Sequence, residues 1–163
     1  SNDDEKTFNL KPYCVKLLKQ RWYGVSRNDY GKGDDNIRIY SLDRIISLNL
    51  TNKKFTYPKD FDPKVYFRGS FGVILGYDCK IENVRLKVDA SQANYLRSLP
   101  LHPSQEEVER HDDYSIFTLR LRPTFDFKQE LLRCVDALEV LEPQWLRDDM
   151  TEKVRRMWAR YNK

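Results

Sequence analysis

The stretch Ile37-Arg38-Ile39-Tyr40-Ser41-Leu42-Asp43-Arg44-Ile45 decides how the first half of this chain is read. In an extended backbone its side chains alternate, so Arg38, Tyr40 and Leu42 share one face while Ile37, Ile39 and Ser41 take the other. Arg38 and Arg44 bracket an aromatic ring. A guanidinium on a strand beside an exposed Tyr offers a planar fork for phosphate or carboxylate and a flat face for a base. The plainer reading is a half-buried strand whose arginines are solvated and whose Asp43 pairs with a neighbour.

Upstream, residues 13–18 and 22–26 are short aromatic and β-branched runs separated by Lys19-Gln20-Arg21, a hairpin-length gap without the usual Gly or Asn. Residues 28–36, dense in Gly, Asn and Asp, read as a loop. Downstream, Ile46, Leu48 and Leu50 alternate with Ser47, Asn49 and Thr51, which predicts a further strand over residues 45–50. About five short strands so closely spaced suggest a small barrel. Residues 55–72 change character, with aromatics interleaved with charge. Asp62 before Pro63 predicts an N-cap and a short helix through residue 67, whose ring-bearing face would cover one mouth of the barrel. Gly69, Gly72 and Gly76 loosen the chain, and the domain boundary is expected between residues 76 and 82. Residues 1–9 are a polar lead-in, residues 10–76 a first domain, and residues 77–163 a second.

Charge divides the same way. Residues 10–76 carry 8 Lys and 5 Arg against 6 Asp and no Glu, a surplus of seven, whereas residues 77–163 are near neutral at −1. A field of that sign favours nucleic acid or nucleotides. The alternative is an ordinary basic surface that aids solubility. The three cysteines, Cys14, Cys79 and Cys134, fit neither a disulfide framework nor a zinc site and read as core residues in a reducing compartment. With no apolar run near the roughly 20 residues that cross a bilayer and no cleavable leader, a soluble cytoplasmic protein without membrane contact is expected.

In the second half residues 84–88 alternate, and Asp89-Ala90-Ser91-Gln92 predicts a capped helix through residue 99, ended by Pro100. Residues 107–110 and 114–122 read as two strands turning at His111-Asp112-Asp113, with Arg120 and Arg122 on one face. Asp126 is expected to cap a second helix with Gln129 as its reciprocal partner and Phe127, Leu131 and Val135 on one stripe. A short strand over residues 138–141 follows, then a terminal helix from Pro143 with Leu146, Met150, Val154, Met157 and Tyr161 as its apolar stripe. Strand, helix, strand, strand, helix, strand is the order of ferredoxin-like domains, here with one added helix. The fold class is therefore α+β.

Catalytic chemistry finds no support. His102 and His111 stand in loop-like sequence without a nucleophile motif, and no metal-binding or phosphate-loop signature appears. The protein reads as a non-enzyme without metal or cofactor.

Pro12-Tyr13, Arg21-Trp22-Tyr23, Arg38-x-Tyr40-x-Leu42-Asp43-Arg44-Ile45, Phe61-Asp62 and Ser70-Phe71-Gly72 together resemble the WYL domain of bacterial transcription regulators, with Gly24 in place of the motif's leucine. Tyr95-Leu96, Pro100-Leu101-His102-Pro103-Ser104-Gln105 and Glu139-Val140-Leu141-Glu142-Pro143 are similar to the C-terminal extension that commonly follows WYL domains. The resemblance implies a Sm-like five-stranded barrel and a ferredoxin-like extension. In the family these usually follow an N-terminal winged helix-turn-helix that reads operator DNA; that reader is lacking here, so operator contact is expected through a domain outside this sequence. The resemblance also implies an effector sensor for single-stranded DNA or nucleotide-like ligands, with Tyr13, Arg21, Tyr23, Arg38, Tyr40 and Arg44 as ligand-binding positions. Gly24 would loosen packing beside Tyr23. Trp22 reads as core and His102 as a turn device or inter-domain contact, while Arg120 and Arg122 are secondary candidates for the same ligand. The rival readings are a dimerisation scaffold, with the terminal helix as the interface of a homodimer, and a stand-alone Sm-like RNA-binding module.

Overall fold

The computed structural model describes residues 5–29 and 36–162, and most of the expected 28–36 loop lies outside them. The chain is α+β, with two antiparallel sheets in two compact units, residues 1–66 and 67–163. Among the described residues no helix is long and apolar enough to cross a membrane.

In the first unit β1 (Leu10–Leu18), β2 (Arg21–Asn28) and β3 (Ile37–Ser41) form an antiparallel meander. The β1–β2 turn is made by Lys19 and Gln20 at φ 48° and 64°, so both central residues are left-handed, the twist that two-residue hairpins require. Here neither residue is Gly or Asn. Between β1 and β2 the register slips at Tyr13: Pro12 opposes Ser26 and Cys14 opposes Val25, leaving Tyr13 as the extra residue of a bulge. After β3 the chain makes a 3-10 turn at Leu42–Arg44, and α1 (Pro63–Tyr66) starts as expected, with Lys64 N–H donating to Asp62 Oδ1 at 2.7 Å.

Two expectations fail in this unit. Residues 45–50 form no strand; Ile46 and Leu48 are 76% exposed and Leu50 99%. Their alternation is real, but no sheet edge among the described residues takes them, and three strands close no barrel. Trp22 is half-exposed rather than core, on the same face as its exposed cross-strand partner Leu17. Gly24 has a positive role in packing: a Cβ there would lie 3.1 Å from Leu42 Cδ2, so its missing side chain is the room into which Leu42 folds.

The second unit carries most of the core. β4 (Glu82–Asp89), β5 (Glu106–Arg110), β6 (Tyr114–Leu121) and β7 (Leu138–Glu142) form an antiparallel sheet in the order β5-β6-β4-β7. It is joined by α2 (Ala90–Ser98) and α3 (Phe125–Arg133) and followed by α4 (Gln144–Tyr161). Val84, Leu86 and Val88 alternate inward, Val84 opposite Leu119 and Leu86 opposite Phe117, and pack with Leu96, Phe127, Leu131 and Leu146. The caps differ from expectation. Asp89 makes no side-chain cap bond, and α3 begins two residues earlier than expected, capped at Thr124 rather than Asp126. Asp126 instead lies inside the first turn, bonded by the Thr124 hydroxyl and by Phe127 N–H at 3.0 Å. Val135 falls beyond the helix at φ 55° and is exposed, so it leaves the expected stripe.

The stretch after α1 belongs with the second unit, because Ser70 bridges to Arg122 and Arg122 N–H donates to Gly69 O at 2.7 Å. Gly69 and Gly76 have φ of 71° and 59°, and a Cβ on Gly76 would stand 2.4 Å from Thr124 Cγ2. Only glycine tolerates both constraints there.

Candidate functional site

A groove of about 510 Å³ opens in the first unit beside the bulge of β1. Lys11 and Arg27 face each other across β1 and β2, and residues 54–59 supply Lys54, Phe55, Tyr57 and Lys59. The bulge aims Tyr13 into the same space. Its ring lies 4.8 Å from Phe61, 5.6 Å from Tyr57 and 6.5 Å from Phe55, and Phe61 in turn lies 5.4 Å from Tyr66. Helix α1 thus anchors the cluster from behind through Tyr66, while Phe55 and Tyr57 keep accessible ring surface.

The electrostatics of the groove turn on one carboxylate. Lys11 Nζ donates to Asp29 Oδ1 at 2.7 Å. That bond, followed by the nearby charges of Lys11, Lys53 and Arg27, holds the exposed Asp29 carboxyl below its ordinary range against a smaller opposing effect of desolvation. Like charges opposite one another in a sheet repel, and Asp29 is the counterion beside Lys11 and Arg27.

The motif positions do not all converge. By register Arg21 and Tyr23 lie in the same row as Arg27, whereas Arg38 and Tyr40 lie on the opposite face of the sheet. Arg21 Nε is 3.6 Å from Asp43 Oδ2, and the Asp43 carboxyl is lowered first by the Ser41 hydroxyl and then by Arg21 and Arg44. Tyr40 accepts a hydrogen bond from Asn28 Nδ2 at 2.9 Å and packs 5.9 Å from the ring of Phe8. Arg38 is exposed and donates to its neighbour's carbonyl, Ile37 O, at 3.2 Å; Arg44 ends the 3-10 turn, exposed. Of the six positions, Tyr13 alone lines the groove. Sequence reasoning passed over Lys11, Arg27, Lys54, Phe55, Tyr57 and Lys59, although the run Lys53-Lys54-Phe55-Thr56-Tyr57-Pro58-Lys59 announces basic and aromatic side chains together.

In the second unit Arg120 is exposed and its backbone is held by Ser104, whose Oγ accepts from Arg120 N–H at 2.8 Å. His102 Nδ1 stands 2.7 Å from the same Oγ, and Gln105 brackets the turn by bonding Leu101 N–H and Leu96 O. His102 therefore works inside a turn. Arg122 donates from Nη1 to Arg68 O at 2.8 Å and so fastens the chain before β4. Among the described residues no group of His, Cys, Asp or Glu could hold a metal ion. The three cysteines are free thiols, and burial raises Cys14 and Cys134.

Residues 80–158 match the WCX domain family. This segment is similar to the WCX domain, the C-terminal domain associated with WYL domains. The match agrees with the extension read from the Tyr-Leu, Pro-Leu-His-Pro-Ser-Gln and Glu-Pro motifs, and it covers all four strands of the second sheet, α2, α3 and α4 as far as Trp158. Among solved structures the chain is similar to proteasome accessory factor B/C (PafBC) of Arthrobacter aurescens, at 19% identity and a TM-score of 0.38 over 91% of this chain. The chain spans 22% of that protein's length. A search of the curated proteins finds no match.

Proposed function

We propose that the chain is the effector-responsive part of a WYL-type bacterial transcription regulator, cytoplasmic and non-enzymatic. Its groove binds an anionic, partly aromatic effector of the single-stranded oligonucleotide or nucleotide-like class. The observation that carries the reading is the meeting of Lys11, Arg27, Lys54 and Lys59 with Tyr13, Phe55 and Tyr57 in one open groove. Cations that track a phosphate backbone and rings on which bases stack are the two requirements for holding single strands. The match to the WCX domain beside WYL-like motifs supports a regulatory role. The order β5-β6-β4-β7 of a strand-helix-strand-strand-helix-strand unit supports a ferredoxin-like sandwich, and the β1–β3 meander supports a Sm-like origin for the first unit. Effector binding would favour one domain or dimer arrangement over another and so alter operator affinity in a DNA-reading domain outside this sequence.

The test is fluorescence anisotropy with labelled short single-stranded DNA and RNA at several salt concentrations. A ligand that engages about three phosphates gives a slope of log K against log salt near −2, and removing Lys54 and Lys59 lowers that slope by about 1.4. Tyr13→Ala costs about 1–3 kcal/mol if a base stacks there. Arg38→Ala with Arg44→Ala, on the other side of the sheet or beyond it, leaves binding nearly unchanged. Absence of binding by the folded wild type, or its loss on changing Arg38 and Arg44 alone, sinks the groove as the effector site.

A further inference from the structure

We infer that the apolar channel between α3, β7 and α4, together with the outer end of α4, is a docking surface for an acidic amphipathic helix of a partner protein. The channel, about 320 Å³, is walled by Leu132, Val135, Leu138, Val140, Met150 and Val154. From there α4 runs on beyond its own core. Leu146 is fully buried and Met150 packs on the core, but every residue from Val154 to Tyr161 is exposed.

The outer end is not a solvated helix by composition. Val154, Met157, Trp158 and Tyr161 recur at i, i+3, i+4 and i+7, one continuous stripe, with Trp158 67% and Tyr161 87% exposed. A stripe of that spacing is the contact face of a helix laid against another apolar surface. It spans about 10 Å along the axis and continues into the channel, which suits a partner helix of some three to four turns.

Charge names the partner. At 100° per residue Arg155 and Arg160 stand on opposite borders of the stripe, and Arg155 also lines the channel. After Glu152, which lies 3.6 Å from Arg156, α4 contains no acidic residue. Glu139, the acid at the channel rim, is held by Arg147 at 2.6 Å. Both flanks therefore ask for carboxylates. A second copy brings the same arginines to the seam, and like charges there oppose pairing. A nucleic acid would meet the arginines but leave the apolar centre uncovered.

The full chain is titrated with two synthetic helical peptides sharing one leucine stripe at i, i+3, i+4 and i+7, one flanked by glutamates and the other by lysines. Binding is followed by calorimetry and by tryptophan fluorescence. The glutamate peptide is expected to bind at least about tenfold more tightly, since two rim contacts of ordinary strength amount to that factor. Arg155→Glu with Arg160→Glu reverses the preference, and Trp158→Ser with Met157→Ser abolishes binding of both peptides; all four residues are exposed, so the fold is kept. Equal binding of the two peptides, or binding indifferent to Met157 and Trp158, overturns the proposal. So does concentration-dependent dimerisation that buries Trp158 and excludes the peptide, which assigns the surface to a second copy. Capture of oligonucleotide through Arg155 and Arg160 without peptide binding assigns it to nucleic acid and overturns it as well.

Discussion

Neutralising Glu107 tests the energetics of the second unit most directly, because one arginine ties helix α2 to edge strand β5 there. Arg97 donates from Nε to Glu107 Oε2 at 2.9 Å and from Nη2 to Oε1 at 2.6 Å, and reaches Ser115 Oγ at 3.0 Å and Asn94 Oδ1 at 2.6 Å. The Glu107 and Arg97 side chains keep 23% and 26% of their surface. The bonds from Arg97, aided by Ser115 and Arg110, overcome partial burial and bring the Glu107 carboxyl from 4.5 to about 2. A carboxyl depressed in the folded state stabilises the fold above its unfolded pKa, and the contribution fades as pH falls from about 4.5 towards 2. A shift of that size sets a ceiling of about 3.4 kcal/mol, and solvent access to the pair brings the expected contribution nearer 1–2 kcal/mol. Near pH 3 only about two fifths of it remains. Urea unfolding of the wild type and Glu107→Gln, followed through Trp145 and Trp158 in a Trp22→Phe background, measures the difference. A cost of about 1–2 kcal/mol at pH 7 that shrinks by more than half at pH 3 is expected, with Arg97→Ala and the double variant closing a cycle. A difference that stays constant across that range, or grows as pH falls, would refute the assignment of the effect to the ionised pair.

Asp29→Asn frees Lys11 of its carboxylate partner, so labelled oligonucleotide should bind roughly three- to tenfold more tightly at low salt; unchanged or weaker binding means that Asp29 does not compete with the ligand. Gly76→Ala combines a left-handed φ with a 2.4 Å approach to Thr124 Cγ2 and should destabilise the second unit by about 1–3 kcal/mol in denaturant. Equal stability would show that residues 67–81 are not packed on α3's first turn. Leu50→Ser, at a side chain 99% exposed, should change stability by less than about 0.5 kcal/mol; a loss of about 2 kcal/mol would mean that this leucine is covered.

The second unit was legible because its local and global signals agree. Val84, Leu86 and Val88 alternate, their partners on β6 alternate in register, and helices start beside Asp89 and Asp126, even though neither carboxylate makes the expected cap bond. Residues 45–50 show the limit of the same reasoning. Period-two alternation states which side chains would share a face if a partner strand existed, but pairing is a long-range fact that periodicity does not contain. Trp22 fails in the same way, since a large ring in a small sheet is core only if something packs over its face.

One wall of the groove is half legible and contains a one-residue event. Simple alternation puts Tyr13 and Lys11 on one side of β1 and Cys14 on the other, but the bulge sets both Lys11 and Cys14 opposite the row containing Arg27 and Val25 and leaves Tyr13 between them. No residue type in Pro12-Tyr13-Cys14 announces a bulge, although proline's missing N–H makes a break in the ladder less costly there. The other wall, residues 54–59, carries no regular secondary structure, so period-based reading had no purchase on where its lysines and rings point. Arg38 and Tyr40, which alternation reads correctly as one face, are separated from Tyr13 by the sheet itself. A motif preserves the order of residues along the chain, whereas a ligand responds to which of them share a face, and here the sheet parts Tyr13 from Arg38 and Tyr40.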